Sequence, residues 1–448
     1  WYGDLGNLLV IPTVGKLHTF SGTLEDPDSG YRSRYDKASE KASAGYYSVM
    51  LTDYQIKAEA TALPHSGMLR FTFPENKEAR IQIDLARRVG GTSIWQTIEV
   101  VDDHTIRGEM KCPPEGGGWG NGEGKADYTV YFYAEFSRPF CSHGVWSAEI
   151  PDGWERKRTD VTSERYREVI RNARILPDVK SMAGKHLGFY AEFDTRMDEQ
   201  ILMRSGISFT SLKNAEENLR AEMKTWKFEK ISAKCRQLWD DALAKITVSG
   251  GTEEEKHIFY TALYHTMIDP RICSDVNGEY MGADKKVHRT EKFNKRTIFS
   301  GWDVFRSQMP LQTIINPTLI NDQINSLVEI AEQSGKEYLE RWELLNAYSN
   351  CMLGNPAIAV LCDAYSKGIR SYDVEKAYRY ALNTSRLFGN NEEGYTPGSI
   401  SHTLEYAYSD WCMARLSEWL GKEADKDRFE ARARSYSSIY DTDSGWFR

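Results

Sequence analysis

The hydrophobic pattern of this 448-residue chain changes near Ser211 from alternation to a helical period, and this change limits the possible folds more than any other feature. Before that point, apolar and polar residues alternate in short runs bounded by turn residues, a pattern typical of β-strands. The predicted strands are 46–51, 56–62, 68–73, 80–85, 94–101, 105–110, 129–136 and 187–193. Short strands at this spacing predict an antiparallel β-sandwich.

After Ser211, apolar residues recur at helical spacing with polar faces between them. The predicted helices are 212–223, 227–246, 252–268, 319–335, 357–367, 374–387, 404–420 and 424–440. Helices joined by short loops make this part of the chain all-α. A chain of 448 residues is also too long for one hydrophobic core. We therefore predict a β-sandwich domain over 1–205, a helical linker over 206–248 and a helical domain over 249–448.

Charge, hydropathy and cysteine spacing argue against several classes of function. The net charge is −8 and no basic run occurs, so nucleic acid is not expected as a partner. No window approaches the ~20 consecutive apolar residues of a membrane-spanning helix, so no membrane span is expected. The seven cysteines are scattered without a Cys-x-x-Cys pair and do not form a zinc-binding pattern.

Two loops resemble ligand-binding motifs, but each lacks an essential part. Residues 116–122 are glycine-rich without the Lys-Ser/Thr ending of a phosphate loop, and we interpret them as a flexible loop around Trp119. Asp275, Asn277 and Gly278 resemble the opening of a calcium loop, yet the bidentate Glu that should follow is missing. An ordinary Asp/Asn-Gly turn is the favoured interpretation of that segment.

The stretch 299–317 carries the strongest indication of chemistry. Trp302, Asp303 and Arg306 combine a flat apolar ring, a carboxylate and a guanidinium, a set that suits a polyhydroxylated ligand such as a sugar. The same spacing has a purely structural interpretation. Ser300, followed three residues later by Asp303, is typical of a capping box that begins a helix, with Trp302 in the core. The local pattern does not decide between these two interpretations.

Two other segments also place rings beside charges. In 340–343, Trp342 is flanked by charged residues, and the structural alternative is an exposed helix start with Trp342 turned inward. In 403–411, Glu405 and Asp410 lie about 140° apart around a helix axis, so they cannot face one cleft. Glu405, expected in the first turn, can reach a ligand or can offset the helix dipole. Asp410 is expected to anchor a neighbouring backbone.

Several stretches occur together in one order along nearly the whole chain. They are 45–49 (GYYSV), 70–74 (RFTFP), 131–137 (YFYAEFS), 260–265 (YTALYH) with 274–278 (SDVNG), 299–306 (FSGWDVFR) and 404–411 (LEYAYSDW). Taken in this order, they resemble the calcium-dependent, inverting, exo-acting α-mannosidases of glycoside hydrolase family 92.

The resemblance implies an N-terminal β-sandwich joined by a helical linker to an (α/α)6 barrel, of which this chain would hold the first part. It implies an enzyme that removes terminal α-linked mannose from N-glycans or mannans with inversion, with Ca²⁺ contacting the sugar hydroxyls. The partner would be an α-mannoside glycan, and the location periplasmic, cell-surface or secreted. For this sequence, the resemblance implies that the pocket for terminal mannose is lined by Trp302, Asp303, Arg306, Trp342 and Glu405.

The proton-transfer groups of such an enzyme are expected outside this chain. An inverting glycosidase needs a general acid and a general base whose carboxyl groups lie ~6.5–9.5 Å apart. In the family, the motifs that supply both groups and the main calcium contacts follow the region equivalent to 441–448. The family's glycine-rich opening motif precedes the part that matches 6–10. We therefore expect a central fragment of the enzyme, with the acid, the base and the metal ligands beyond Arg448.

Departures from the family pattern bear on specificity. The chain has Asp36-Lys37 where the family commonly has Ser-His, Asn355-Pro356 where it has Asp-His, and Ser409 where Asp is frequent. The loss of these groups is expected to change the leaving-group subsite. Two alternatives stay open: a non-catalytic carbohydrate-binding relative, and a hydrolase or phosphorylase of another sugar on the same architecture.

Overall fold

The computed structural model describes residues 5–117, 126–154, 156 and 163–448. Within those ranges the chain forms two compact units. The first unit contains the described residues up to 245 together with 274–279, and the second contains 246–273 and 280–448. Most of the predicted glycine-rich loop, including Trp119, lies outside the described residues.

Two antiparallel sheets form the first unit. Its strands are β1 (Leu9–Val14), β2 (Tyr35–Ser43), β3 (Tyr46–Leu51), β4 (Ile56–Leu63), β5 (Ser66–Phe73), β6 (Asn76–Asp84), β7 (Arg87–Arg88), β8 (Gly91–Thr92), β9 (Trp95–Asp102), β10 (Thr105–Cys112), β11 (Tyr128–Phe136), β12 (Ser142–Ser147), β13 (Arg174–Pro177), β14 (Ser181–Gly184), β15 (Leu187–Thr195) and β16 (Glu199–Ser208). The five-stranded sheet has the order β1-β6-β15-β12-β13, and the nine-stranded sheet has the order β14-β9-β10-β11-β16-β5-β4-β3-β2. The strands β7 and β8 pair with each other.

Alternation along the strands produces the core between these sheets. Ile81 and Ile83 of β6 and Phe189 of β15 come from the five-stranded sheet, and Phe132 of β11 comes from the nine-stranded sheet. All four side chains are fully buried in one apolar cluster. This is the sandwich that the period-two pattern predicted, since alternate side chains of a strand point to the same face of its sheet.

All eight predicted strands are present, as β3 to β6, β9 to β11 and β15. The sequence pattern missed the longer strands β1, β2, β12 and β16, and for β2 the reason is its position. It lies at the edge of the nine-stranded sheet, and none of its nine residues is buried. An exposed edge strand has no apolar face, so it carries no alternation to detect.

Among the described residues, the first unit has three α-helices, and two of them pack on the outer face of its nine-stranded sheet. A short helix, α1 (Glu164–Arg171), precedes β13, and α2 (Leu212–Glu222) and α3 (Phe228–Leu243) follow β16. Leu219 of α2 and Ile231 of α3 pack with Met68 of β5 in a second apolar cluster. The helices predicted for the linker region are therefore present, and their apolar faces are buried on the sheet.

The second unit is mainly helical. Its helices are α4 (Glu253–His265), α5 (Gly301–Val304), α6 (Gln308–Ile315), α7 (Pro317–Gln333), α8 (Pro356–Ser366), α9 (Val374–Leu387), α10 (Ile400–Trp419) and α11 (Glu423–Arg434). Ile320, Ile358, Ala381 and Met413, one each from α7 to α10, are fully buried in a shared core. An antiparallel β-sheet domain followed by a helical region is the predicted fold class, and it is confirmed.

Short strands lie between the helices of this unit and after the last of them. They are β17 (Arg271–Ile272), β18 (Glu279–Met281), β19 (Val287–Arg289), β20 (Arg296–Thr297), β21 (Phe299–Ser300), β22 (Trp342–Leu344), β23 (Ala347–Tyr348), β24 (Tyr440–Asp441) and β25 (Trp446–Phe447). One structural alternative and one predicted helix end differ from the structure here. Trp342 begins a strand and not a helix, and the helix predicted over 424–440 ends at Arg434, where a 3-10 turn follows.

Within the first unit, the segment 274–279 is bound to the neighbouring residues 208–218 through Asp275. The carboxylate of Asp275 accepts hydrogen bonds from the hydroxyls of Ser208 (2.8 Å) and Thr210 (2.5 Å). It also accepts from the side-chain amides of Asn214 (2.9 Å) and Asn218 (2.7 Å). These are four donors to one buried carboxylate, so its lone pairs are used within the protein and not for a cation.

The Asp/Asn-Gly turn predicted for this segment is confirmed. The N–H of Gly278 donates to the carbonyl oxygen of Asp275 at 2.9 Å, and Gly278 has a φ of +82°. A glycine adopts that φ without a steric cost, as turn chemistry requires.

Two further observations concern the described ranges as a whole. All seven cysteines lie in them, and none of these seven is in a disulfide bond. No helix in these ranges combines the length and the apolar composition needed to cross a bilayer.

Candidate active site

A close backbone contact positions the Trp302 segment. The strand β21 pairs with β22, so that Ser300 lies opposite Trp342. The next residue, Gly301, donates its N–H to the carbonyl oxygen of Arg341 at 3.1 Å. A Cβ on Gly301 would lie 2.4 Å from that oxygen, so only glycine permits this approach.

The helix that follows, α5, has only four residues. Although α5 begins directly after Ser300, the Ser300 side chain makes no capping hydrogen bond to the backbone. Its hydroxyl donates instead to the carboxylate of Asp303. The helix ends at Val304, so Arg306 follows it and is not part of it. The predicted capping box was therefore wrong in its hydrogen bonding, while the predicted helix start was right.

The second wall of the site comes from α10. This helix begins at Ile400, because the side chain of Ser399 accepts a hydrogen bond from the N–H of His402. Glu405 therefore lies in the second turn and not in the first, as the sequence pattern had predicted. The pattern placed the start too late because Ser401 and His402 interrupt the apolar spacing.

Asp410, further along α10, is buried and faces away from the site. Its carboxylate forms an ion pair with Arg432 of α11 at 3.1 Å and accepts a hydrogen bond from the Ser385 hydroxyl at 3.3 Å. Burial raises the pKa of Asp410 to about 6, although Arg432 opposes the shift. The prediction that Asp410 anchors a backbone was wrong, since its partners are side chains.

Glu405 brings Trp302 and Arg306 together. Its Oε1 accepts a hydrogen bond from the indole Nε1 of Trp302 at 3.2 Å and one from Nη2 of Arg306 at 2.7 Å. The guanidinium of Arg306 also lies 4.9 Å from the centre of the Trp302 ring. An aromatic ring, a cation and a carboxylate are therefore in mutual contact, although 99 or more residues separate Glu405 from the other two.

These three side chains line an open cavity of about 600 Å³. The lining residues are Trp302, Phe305, Arg306, Leu353, Ser401, Leu404, Glu405 and Tyr408. Hydroxyl groups of a sugar can donate to the carboxylate and accept from the guanidinium, while the apolar face of a sugar ring packs on an indole. The cavity is of the size range typical of small-molecule sites.

The other two predicted residues lie beside this cavity and do not line it. Asp303 is exposed and accepts the hydrogen bond from Ser300. Trp342 is 5% exposed on β22. The structure therefore brings three of the five predicted residues together at the cavity, and sugar binding by any of the five stays a prediction.

Sequence reasoning gave no role to several residues of the site. Tyr408 lies three residues after Glu405, so both are on the same face of α10, and helical spacing could have identified it. Leu353 comes from an irregular loop with no periodic pattern. Its place in the cavity depends on packing that only the folded chain shows.

Comparison with known proteins decides the family. The profile of the Glycosyl hydrolase family 92 N-terminal domain matches residues 1–208, and that of the Glycosyl hydrolase family 92 catalytic domain matches residues 214–448. The chain belongs to glycoside hydrolase family 92.

Solved family 92 structures share this architecture. An α-mannosidase from Bacteroides thetaiotaomicron, solved in complex with mannoimidazole, is 33% identical, with a TM-score of 0.86 over 99% of this chain and 56% of its own. An inverting mannosidase from Bacteroides thetaiotaomicron is 24% identical, with a TM-score of 0.81 over 98% of this chain and 56% of its own. The second likeness is one of fold alone.

A curated relative is more distant. An uncharacterised secreted glycosidase from Arthroderma benhamiae is 23% identical and is matched over 92% of this chain and 51% of its own length. The chain thus spans about half the length of the relatives that it matches.

The described residues do not form a site that suits the calcium ion implied by the family resemblance. Among them, one group of three or more closely spaced metal-ligand candidates occurs, Asp102, Asp103 and His104 at the turn after β9. Calcium takes six to eight oxygen ligands, whereas this exposed group includes a ring nitrogen. In the cavity, Glu405 already accepts two hydrogen bonds at one oxygen. No catalytic step is therefore assigned to a metal held by these residues.

Proposed function

We propose that the full-length protein is an exo-acting α-mannosidase that hydrolyses terminal α-linked mannose from N-glycans or mannans with inversion. The observation that carries this proposal is the contact of Trp302, Arg306 and Glu405 at an open cavity in a family 92 chain. We further propose a periplasmic, cell-surface or secreted location, which the name of the secreted fungal relative supports.

In this proposal the cavity holds the terminal sugar. Glu405 accepts hydrogen bonds from sugar hydroxyls, and Arg306 donates to a neighbouring sugar oxygen. The Trp302 indole N–H fixes the Glu405 carboxylate, and its ring offers a surface to the C–H face of the sugar. Because both charged groups already contact each other, they are oriented before the sugar arrives, which lowers the entropic cost of binding.

Hydrolysis with inversion needs a second carboxyl group. Glu405 is the one carboxylate among the described residues that line the cavity, whereas an inverting glycosidase uses two, about 6.5–9.5 Å apart. We therefore assign Glu405 to binding, and residues 1–448 alone are expected to bind a mannoside without hydrolysing it.

The same observation favours a second candidate, a non-catalytic carbohydrate-binding relative. The full-length protein separates the two candidates when it is incubated with α-1,2-, α-1,3-, α-1,4- and α-1,6-mannobiose, with and without a chelator. Release of mannose, initially as the β-anomer by proton NMR, is the expected result. Binding of a mannobiose without release from any of them would instead support the non-catalytic candidate.

The substitution Glu405→Gln tests the binding role in residues 1–448. Loss of charge-assisted hydrogen bonds is expected to weaken the binding of methyl α-D-mannopyranoside by about 10- to 100-fold. Isothermal titration calorimetry measures this affinity. The matched control is Glu418→Gln, which removes a carboxylate from the same helix at its far end, where Glu418 pairs with Arg415.

Unchanged binding by the Glu418 variant and weakened binding by the Glu405 variant would support the assignment. Equal affinities for both variants would refute it. Parallel titrations with methyl α-D-glucopyranoside and L-rhamnose separate the mannose proposal from an enzyme that acts on another sugar.

A further inference from the structure

Arg341 contacts the three chain segments that carry the cavity. Its carbonyl oxygen accepts the N–H of Gly301, the residue before Trp302. Its guanidinium Nε donates to the carbonyl oxygen of Gly354 at 2.7 Å, and Nη1 donates to that of Met352 at 2.5 Å. Its Nη2 donates to the hydroxyl of Tyr406 on α10 at 3.2 Å. One residue thus joins the Trp302 segment, the loop before α8 and the helix that carries Glu405.

The loop that receives the guanidinium has an unusual backbone. Asn350, Met352 and Gly354 have φ values of +52°, +66° and +70°. Asn tolerates positive φ, but for Met352 it is unfavourable, so its conformation persists only where surrounding contacts maintain it. Arg341 supplies two of those contacts, at the carbonyl groups on either side of Leu353.

This loop lies directly against Glu405. A Cβ on Gly354 would lie 3.1 Å from Oε2 of Glu405 and 3.3 Å from its Cβ. Leu353, the residue before Gly354, lines the cavity. Any relaxation of the loop would therefore move a wall of the cavity and the surface on which Glu405 rests.

The guanidinium of Arg341 makes its hydrogen bonds to the segments that carry the cavity. The side chain is 6% exposed, and no ion pair with a described carboxylate accompanies its three hydrogen bonds. A buried guanidinium is costly unless its donors are satisfied. Here they are satisfied by groups from the cavity walls. By contrast, the equally buried Arg432 forms an ion pair with Asp410 away from the cavity.

We propose that Arg341 is a positioning residue for sugar binding, which sets the distance between the Trp302 wall and the Glu405 wall without touching the sugar. The inference rests on the proposed function, because it assumes that the cavity binds a mannoside. Lysine cannot replace the guanidinium here, since a single ammonium does not reach two carbonyl groups and a hydroxyl in fixed directions.

The test compares Arg341→Lys and Arg341→Met with the control Arg432→Lys in residues 1–448. Affinity for mannoimidazole is measured by calorimetry at a temperature well below each melting midpoint, so that folded protein alone is titrated. Arg341→Met is expected to bind about tenfold or more weakly, and Arg341→Lys to lie between it and the wild type. The control is expected to lose stability while its affinity changes less than about twofold.

A milder variant keeps the test decisive if the Arg341 variants do not fold. Tyr406→Phe removes one partner of the guanidinium and leaves Arg341 in place, and it is expected to weaken binding by about two- to threefold. In that case, wild-type affinity for Tyr406→Phe would overturn the proposal.

A double-mutant cycle separates positioning from general structural damage. If Arg341 acts through Glu405, Arg341→Lys should weaken binding much less in a Glu405→Gln background than in the wild type. Equal effects in both backgrounds would overturn the proposal. Absence of binding to mannoimidazole by the wild type would instead refute the proposed function, so the two failures are distinguishable.

Discussion

Two buried glutamates, Glu340 and Glu343, differ in the hydrogen bonds that their carboxyl groups receive. Glu343 is fully buried, and its carboxylate accepts hydrogen bonds from the Thr297 hydroxyl (3.0 Å), the Ile298 N–H (3.1 Å) and the Asn346 N–H (2.8 Å). Glu340, three residues earlier, is as buried but has no hydrogen-bond partner for either oxygen. The nearest cation, the Nζ of Lys336, lies 3.6 Å away, which is too long for a hydrogen bond. Burial therefore raises the pKa of Glu340 to about 8.

This pKa gives a pH dependence of known sign. In the unfolded chain Glu340 titrates near its ordinary value of about 4.5, so between pH 4.5 and 8 the folded protein binds more protons at this site than the unfolded one. The contribution of Glu340 to stability is thus fully present below pH 4.5 and is lost as the pH rises through 8. We expect Glu340→Gln to raise the free energy of unfolding at pH 9 by about 1–3 kcal/mol, because it removes a buried charge.

Urea unfolding of the wild type and the variant at pH 6 and pH 9 measures this effect. The matched control is Glu291→Gln, whose carboxylate is 80% exposed and should leave the pH dependence unchanged. A Glu340 variant with the same pH dependence as the wild type would contradict the assignment.

At the scale of elements, strand pairing depends on where a large side chain meets a glycine. Trp146 on β12 lies opposite Gly188 on β15 and is fully buried. A Cβ on Gly188 would lie 1.8 Å from Cζ2 of that indole. Trp146 thus occupies the volume that a side chain at position 188 would need. The pairing of β12 with β15 at this point therefore requires glycine at position 188.

Gly188→Ala is therefore expected to lower the free energy of unfolding by about 1–3 kcal/mol, as overpacking of a core does. Gly67→Ala is the matched control in a strand of the other sheet, because the nearest atom to its Cβ would be the Ser205 hydroxyl at 3.9 Å. With space available and less freedom in the unfolded chain, this control is expected to be neutral or stabilising by roughly 0.5 kcal/mol. Urea denaturation compares the two, and equal effects would show that the Trp146 contact does not limit position 188.

At the scale of the whole molecule, the chain has two compact units with separate apolar cores. Each core is large enough to support its own cooperative transition. We expect residues 187–208 of the first unit and 317–333 of the second to lose hydrogen-exchange protection at different urea concentrations. Mass spectrometry of the exchanged peptides measures both midpoints.

The variant Gly188→Ala makes this test more specific. It should shift the urea midpoint of the 187–208 peptide, while the midpoint of the 317–333 peptide should equal that of the wild type within error. A common midpoint in the wild type, or a shift of both peptides in the variant, would show that the units unfold as one. The separate transitions would also identify which unit a cavity variant destabilises.

The sequence by itself determined the fold class, because hydrophobic periodicity follows from the geometry of strands and helices and needs no knowledge of neighbours. It also placed Trp302, Arg306 and Glu405 among the candidate binding residues through ring and charge content. Its errors include one element end and one edge strand. Helix α10 begins four residues earlier than predicted, and β2 has no apolar face to reveal it.

Tertiary structure alone decided which of these side chains meet. Trp302 and Glu405 are 103 residues apart, so their hydrogen bond depends on how α5 and α10 pack and not on any local spacing. The burial of Glu340 and the convergence of Arg341 on three segments have the same origin. Local propensity sets what each segment becomes, whereas the direction of each side chain, and hence the cavity, is set by contacts between segments distant in the chain.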